Sequence, residues 1–164
     1  MARSYEEALE QLRKTLELDS TFGLAHLNIA QVYQAMGAYP QAIAALEKAR
    51  VVSGETPTVI AWLASAHARS GHLDEARVLL LRLKALRERT HVSPFDLALV
   101  HASLGQRDEA FALLDEAYDE GTNRLAFVNV EPALDSLRDD ERFPKLLHRM
   151  GLGNQRSTRT GGVR

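Results

Sequence analysis

Apolar residues recur at helical spacing along most of this chain. Between Phe22 and Met36, Leu24, Leu27, Ala30 and Tyr33 fall on one helical face, and Gly37 follows. Glycine suits the left-handed conformation that ends a helix. A second stretch, Tyr39 to Val52, puts Ala42, Ile43, Leu46 and Ala49 on one face. Helix, short glycine turn, helix is therefore the predicted unit. The same unit reads from Pro57 to Arg89, turning at Ser70-Gly71-His72, and from Pro94 to Glu120, turning at Leu104-Gly105-Gln106. Ahead of these, Tyr5, Ala8, Leu9, Leu12 and Leu16 form the apolar face of a helix with no partner preceding it.

The units share one register with a period of 34 residues. Ala8, Ala42, Ala76 and Ala110 follow that step, as do Leu12, Leu46, Leu80 and Leu114. So do Gly37, Gly71 and Gly105; Ile29, Leu63 and Leu97; Ala30, Ala64 and Ala98; and Tyr33, His67 and His101. Two antiparallel helices approach closely only where side chains are small, so the alanine columns are predicted to be core. A fixed period of this length is the signature of stacked units that bury a continuous core together.

With its helix–turn–helix unit and these columns, the period resembles the tetratricopeptide repeat (TPR). Tyr5-Glu6-Glu7-Ala8-Leu9 and Tyr39-Pro40-Gln41-Ala42-Ile43 are similar to the start of the second TPR helix. Leu18-Asp19-Ser20 resembles the family's Leu-Asp-Pro repeat end, with Ser20 in place of proline. The family's first-helix Trp is replaced by His26, Ile60 and Pro94. The resemblance implies an all-α fold, a right-handed TPR superhelix (an α-solenoid of antiparallel helix pairs) with a helical C-terminal cap. Its expected parts are a TPR array over 1–121, with a half repeat at 4–20 and full repeats at 23–56, 57–90 and 91–121. A capping segment at 122–153 and a disordered tail at 154–164 would follow. Because the array opens on a second helix, the chain is expected to be the C-terminal part of a longer ancestor or protein. A second copy could instead cover the unpaired first helix in a homodimer.

After Gly121 the columns stop. Leu125-Ala126-Phe127-Val128 gives an apolar entry, and Pro132 opens a short helix with Leu134 and Leu137. Asp139 or Asp140 can cap a final helix carrying Phe143, Leu146, Leu147 and Met150, ended by Gly151 and Gly153. Val92 to Ala98 with Leu104-Gly105, and Val130 to Asp140 with Arg142-Phe143 and Leu146 to Gly151, are similar to the last repeat and closing segment of bacterial multi-repeat TPR proteins. In that group the array commonly follows a winged-helix DNA-binding, protein kinase or nucleotide cyclase domain, none of which is in this chain.

Composition narrows the chemistry. The chain has 164 residues and a formal net charge of −2, which argues against sequence-independent nucleic-acid binding. Cys is absent, so disulfides, thiolate catalysis and Cys-ligated metals are excluded. The N-terminus shows no secretory pattern, and no apolar run reaches the ~20 residues of a membrane span. A cytoplasmic protein with no membrane partner is expected.

No catalytic constellation emerges. His26, His67, His72, His91, His101 and His148 include no His-Glu-x-x-His, and His67 and His101 occupy a column that normally holds a packing aromatic. The acids Asp108, Glu109, Asp115, Glu116, Asp119 and Glu120 read as a solvated helix face. There is no phosphate-binding loop and no nucleophile elbow. The expectation is no enzyme, no cofactor and no metal.

Binding chemistry is left. By the family's register the first helix of each pair lines a concave groove. The expected groove residues are Leu27, Asn28, Gln31 and Gln34 with Leu24; Trp62, Ser65 and Arg69 with Thr58 and Ala61; and Phe95, Asp96 and Leu99 with Val92 and Ser103. Trp62 packed between repeats as core is the competing reading. The positions with which some TPR domains clamp a carboxylate hold Leu27, Gln31, Trp62, Val92 and Asp96, so that clamp is not expected. An apolar, amide-lined groove suits a helix or an extended segment with apolar anchors. The resulting expectation is a non-catalytic scaffold that binds a protein or peptide. The alternative is a regulatory or sensor segment of a larger bacterial signalling protein.

Overall fold

The structure, a computed structural model, describes residues 2–152. The 154–164 tail expected to be disordered, and Gly153, lie outside the described residues. The described residues are all-helical, without a strand. α1 spans Ala2–Leu18, α2 Gly23–Ala35, α3 Tyr39–Ser53, α4 Pro57–Arg69, α5 Leu73–Arg87, α6 Pro94–Ser103, α7 Arg107–Asp119 and α8 Arg142–Arg149. Two 3₁₀ segments, Asn123–Phe127 and Pro132–Leu137, lie between α7 and α8.

Local sequence sets the helix ends. Pro57 and Pro94 each open a helix where a missing N–H costs nothing, and the Thr56 hydroxyl accepts the Val59 N–H at 3.3 Å. Gly37, Gly71 and Gly105 close α2, α4 and α6 with φ of 73°, 88° and 75°. The residue after each glycine donates its N–H back to the carbonyl of Tyr33, His67 or His101, at 2.8, 2.9 and 2.9 Å. Each turn is thus the same Schellman closure, and the 34-residue glycine column is a column of identical turns.

The pairs α2/α3, α4/α5 and α6/α7 pack internally, with α1 on α2, α3 on α4, and α4 alongside α6. Ala42, Ala76 and Ala110 on the second helices are fully buried, as are Ala30, Ala64 and Ala98 on the first. Every residue from Val59 to Ala66 is buried, which makes α4 the centre of the array.

The 34-residue step continues in space beyond the point where the sequence columns stop. Arg142 donates to Asp108 at 2.8 Å, and Arg149 pairs with Asp115, each pair 34 residues apart. Both contacts advance seven residues on each helix, so α8 runs parallel to α7. Each arginine also covers a ring of α7: Arg142 lies 4.2 Å from the Phe111 centroid and Arg149 4.5 Å from that of Tyr118. Of the two candidate caps, Asp140 accepts the Arg142 N–H at 3.0 Å, while Asp139 turns to Arg107. Hydrogen bonds from the Arg142 side chain and backbone hold the Asp140 carboxyl far below its usual range. The second 3₁₀ segment packs on α6, with Leu134 and Leu137 fully buried. It takes the place where another first helix would stand.

Candidate functional site

First helices and cap together wall a cavity of about 840 Å³, within the few-hundred to ~1,000 Å³ range of ligand pockets. α2 contributes Leu27, Asn28, Gln31 and Gln34, α4 contributes Trp62, Ser65 and Arg69, and α6 contributes Phe95 and Leu99. Leu24 and Thr58 also line it. The helical repeat explains the convergence: Asn28 and Trp62 are one period apart, as are Gln31, Ser65 and Leu99, so equivalent positions of successive first helices meet on one surface.

Asp96 departs from the expectation. It is 1% exposed and does not line the cavity. It sits beneath the floor, where Thr58 Oγ1 donates to its Oδ2 at 2.9 Å and Arg124 Nη2 approaches Oδ1 to 3.1 Å, an ion-pair distance not aligned for a hydrogen bond. Ala61 and Val92 are likewise buried away from the cavity. Ser103 is spent on Ser65, their hydroxyls 2.7 Å apart. Register alone cannot foresee these positions, because it ignores neighbours arriving from 28 or 38 residues away.

The far wall comes from the cap: Arg124, Phe127, Val130, Glu131, Pro132 and Asp135. These residues belong to no repeat column, so periodicity could not find them. Arg124 lies over both Trp62 and Phe95, 5.7 and 5.5 Å from the ring centroids. Burial raises the carboxyl pKa of Asp96, against the opposing pull of Arg124 and the Thr58 hydrogen bond. Burial also raises that of Glu131, against the Ala133 N–H, Arg69 and Arg124. Two buried donors on cavity residues, Trp62 Nε1 and Arg69 Nη1, have no hydrogen-bond partner. Trp62 is 7% exposed, so it is core and cavity lining at once.

Among the described residues, no three His, Asp or Glu side chains are grouped to hold an ion. His101 is buried, and burial followed by the charge of Lys84 lowers its pKa; burial also lowers that of His67, whose ring meets His72 edge-on at 5.8 Å.

A family model described as tetratricopeptide repeat matches residues 1–52. The match covers about a third of the chain, and the stacked helix pairs of the fold are consistent with a tetratricopeptide-like solenoid. A second model, described as anaphase-promoting complex subunit 5, matches residues 64–124 of these repeats. No curated protein matches the chain. Tetratricopeptide repeats generally mediate protein–protein interactions. No helix among the described residues is long and apolar enough to cross a membrane.

Proposed function

We propose that this protein is a non-catalytic interaction module that binds a peptide or protein segment in the cavity between α2, α4, α6 and the cap. The observation that carries the reading is the lining itself. Trp62, Phe95 and Leu99 offer apolar area, Asn28, Gln31 and Gln34 offer amides, and Arg69 adds a positive charge. Binding hot spots draw on the same kinds of group, a buried aromatic and a directional arginine.

The test is selection from a library of random nine-residue peptides, followed by affinity measurement on the parent protein and on Gln31→Trp. Gln31 is exposed and lines the cavity, so a tryptophan there fills the groove without disturbing the core. Binders that lose affinity for Gln31→Trp support the reading. Binders indifferent to that change, or an empty selection, overturn it.

A further inference from the structure

The outward face of α5 carries an apolar stripe that the fold does not use. Val78 and Leu81 are 65% and 67% exposed, and Ala85 beside them is exposed too. With Asp74 and Glu88 at its ends, the stripe advances by four, three, four and three residues. That is the spacing of a heptad seam, with Val78 and Ala85 at a and Leu81 at d. The core-facing residues Ala76, Leu80 and Leu83 lie on the other side of the helix. Single exposed apolar residues need no explanation. Here the register adds one: at the position of Leu81 the other second helices hold Arg13 in α1, Glu47 in α3 and Asp115 in α7. The stacked fold accepts charge at this place, so it does not require a leucine there.

The positions that flank the stripe are mostly cationic. Arg77, Arg82, Lys84 and Arg89, the last in the turn just beyond the helix, stand against Glu75 alone, and all four cations are exposed. Arg77 meets Asp74 at 2.9 Å and Arg82 meets Glu55, whereas Lys84 and Arg89 make no ion pair among the described residues. A second copy of α5 is a poor occupant in either orientation. Antiparallel pairing opposes Arg77 with Lys84, and parallel pairing opposes Arg77 with Arg82. An anionic bilayer fits less well than a helix, because α7, bridged to α5 through Arg87 and Glu116, carries Asp115 and Asp119 at the positions that match Leu81 and Ala85.

We propose that the outer face of α5 is a second docking surface, for an acidic amphipathic helix of a partner protein. That helix lays apolar a and d side chains on Val78, Leu81 and Ala85 and sets carboxylates beside Lys84 and Arg89. No residue of α5 lines the cavity, so this surface stands or falls apart from the groove reading.

The probe is a synthetic peptide about three heptads long, with leucine at a and d and glutamate at e and g. Its own repulsion keeps it from self-pairing at neutral pH. A twin carries lysine at e and g. Labelled for fluorescence polarisation, the glutamate peptide should bind the parent protein at least about ten-fold more tightly than its twin. Raising NaCl from about 50 to about 500 mM should shrink that difference. Leu81→Glu should weaken the glutamate peptide about ten-fold or more. Combining Lys84→Glu with Arg89→Glu should turn the preference toward the lysine twin. Gln31→Trp, which fills the cavity, should leave binding unchanged within about two-fold. The twins are compared on the unmodified protein, so they decide the matter even if a variant fails to fold. Equal binding of the twins, binding of neither, or a loss on Gln31→Trp overturns the proposal. Phosphatidylserine vesicles that bind the parent protein but not Leu81→Glu, with neither peptide bound, overturn it in favour of a membrane.

Discussion

Asp96 anchors Arg124 under the floor of the groove, with 3.1 Å between Oδ1 and Nη2, while the same guanidinium covers Trp62 and Phe95. The pair joins α6 to the cap, so cap position and groove shape are one quantity. Arg124→Ala should destabilise the fold by about 3 kcal/mol, because it leaves the Asp96 carboxylate buried with only Thr58. Adding Asp96→Asn to that variant should restore much of the loss. Urea unfolding of the two single variants and the double variant checks this; strictly additive losses would show that the pair is not coupled.

Glu131 gives the pH counterpart. Burial raises its folded pKa above the usual 4.5. A raised folded pKa means that the folded state binds the proton more readily than the unfolded one. The stabilising contribution is then complete below 4.5 and is lost as pH rises through the folded pKa. On acidification from pH 7, the parent protein should gain stability relative to Glu131→Gln. Parallel stability–pH curves for the two proteins would contradict this.

Ala76 is fully buried where α5 meets its neighbours. Ala76→Leu should cost about 1–3 kcal/mol by overpacking. Val78 on the same helix is 65% exposed, and Val78→Leu should be neutral. Equal melting temperatures for the two variants would show that the alanine column has slack.

α1 packs on α2 at the edge of the array, whereas α4 is flanked by α3, α5 and α6. Terminal units of a solenoid depend on neighbours from one side. Amide hydrogen exchange should therefore be faster over residues 4–18 than over 57–69. Comparable protection in a monomer would show that α1 is held as firmly as the centre.

Trp62→Ala removes most of a buried side chain and should lower stability by about 3 kcal/mol or more, while also weakening any groove ligand. Trp62→Phe should preserve most of the stability, and thermal melting of both variants tests the distinction. Loss of binding without loss of stability in Trp62→Ala would place the ring on the surface instead.

The helices and their pairing were legible because like residues recur in register. Alanines mark the close approaches and glycines mark the turns, and both act through local backbone chemistry. The same register places Asn28, Gln31, Trp62, Ser65 and Leu99 along the cavity, but it also puts Ala61, Val92, Asp96 and Ser103 there, and none of these lines it. The cap was harder to read, because one period after Ala110 stands Pro144, and one period after Leu114 stands His148. What persists there is complementarity, Asp108 with Arg142 and Asp115 with Arg149. A search for self-similarity cannot register a charge answered by its opposite. Arg124 and Glu131 escaped for a related reason, since their roles come from packing against α4 and α6 and not from any column.

The bridges between layers also set how the chain finds its shape. Thr58 to Asp96 and Ser65 to Ser103 span 38 residues, and Asp108 to Arg142 and Asp115 to Arg149 span 34. Each layer is thus tied to the next by short chain excursions, and these ties do not require the two ends of the molecule to meet. Loop-closure entropy stays small under those conditions, and helical proteins dominated by such nearby contacts fold in microseconds to milliseconds. Folding can begin at the well-buried α4–α7 block and spread outward in both directions, one layer at a time.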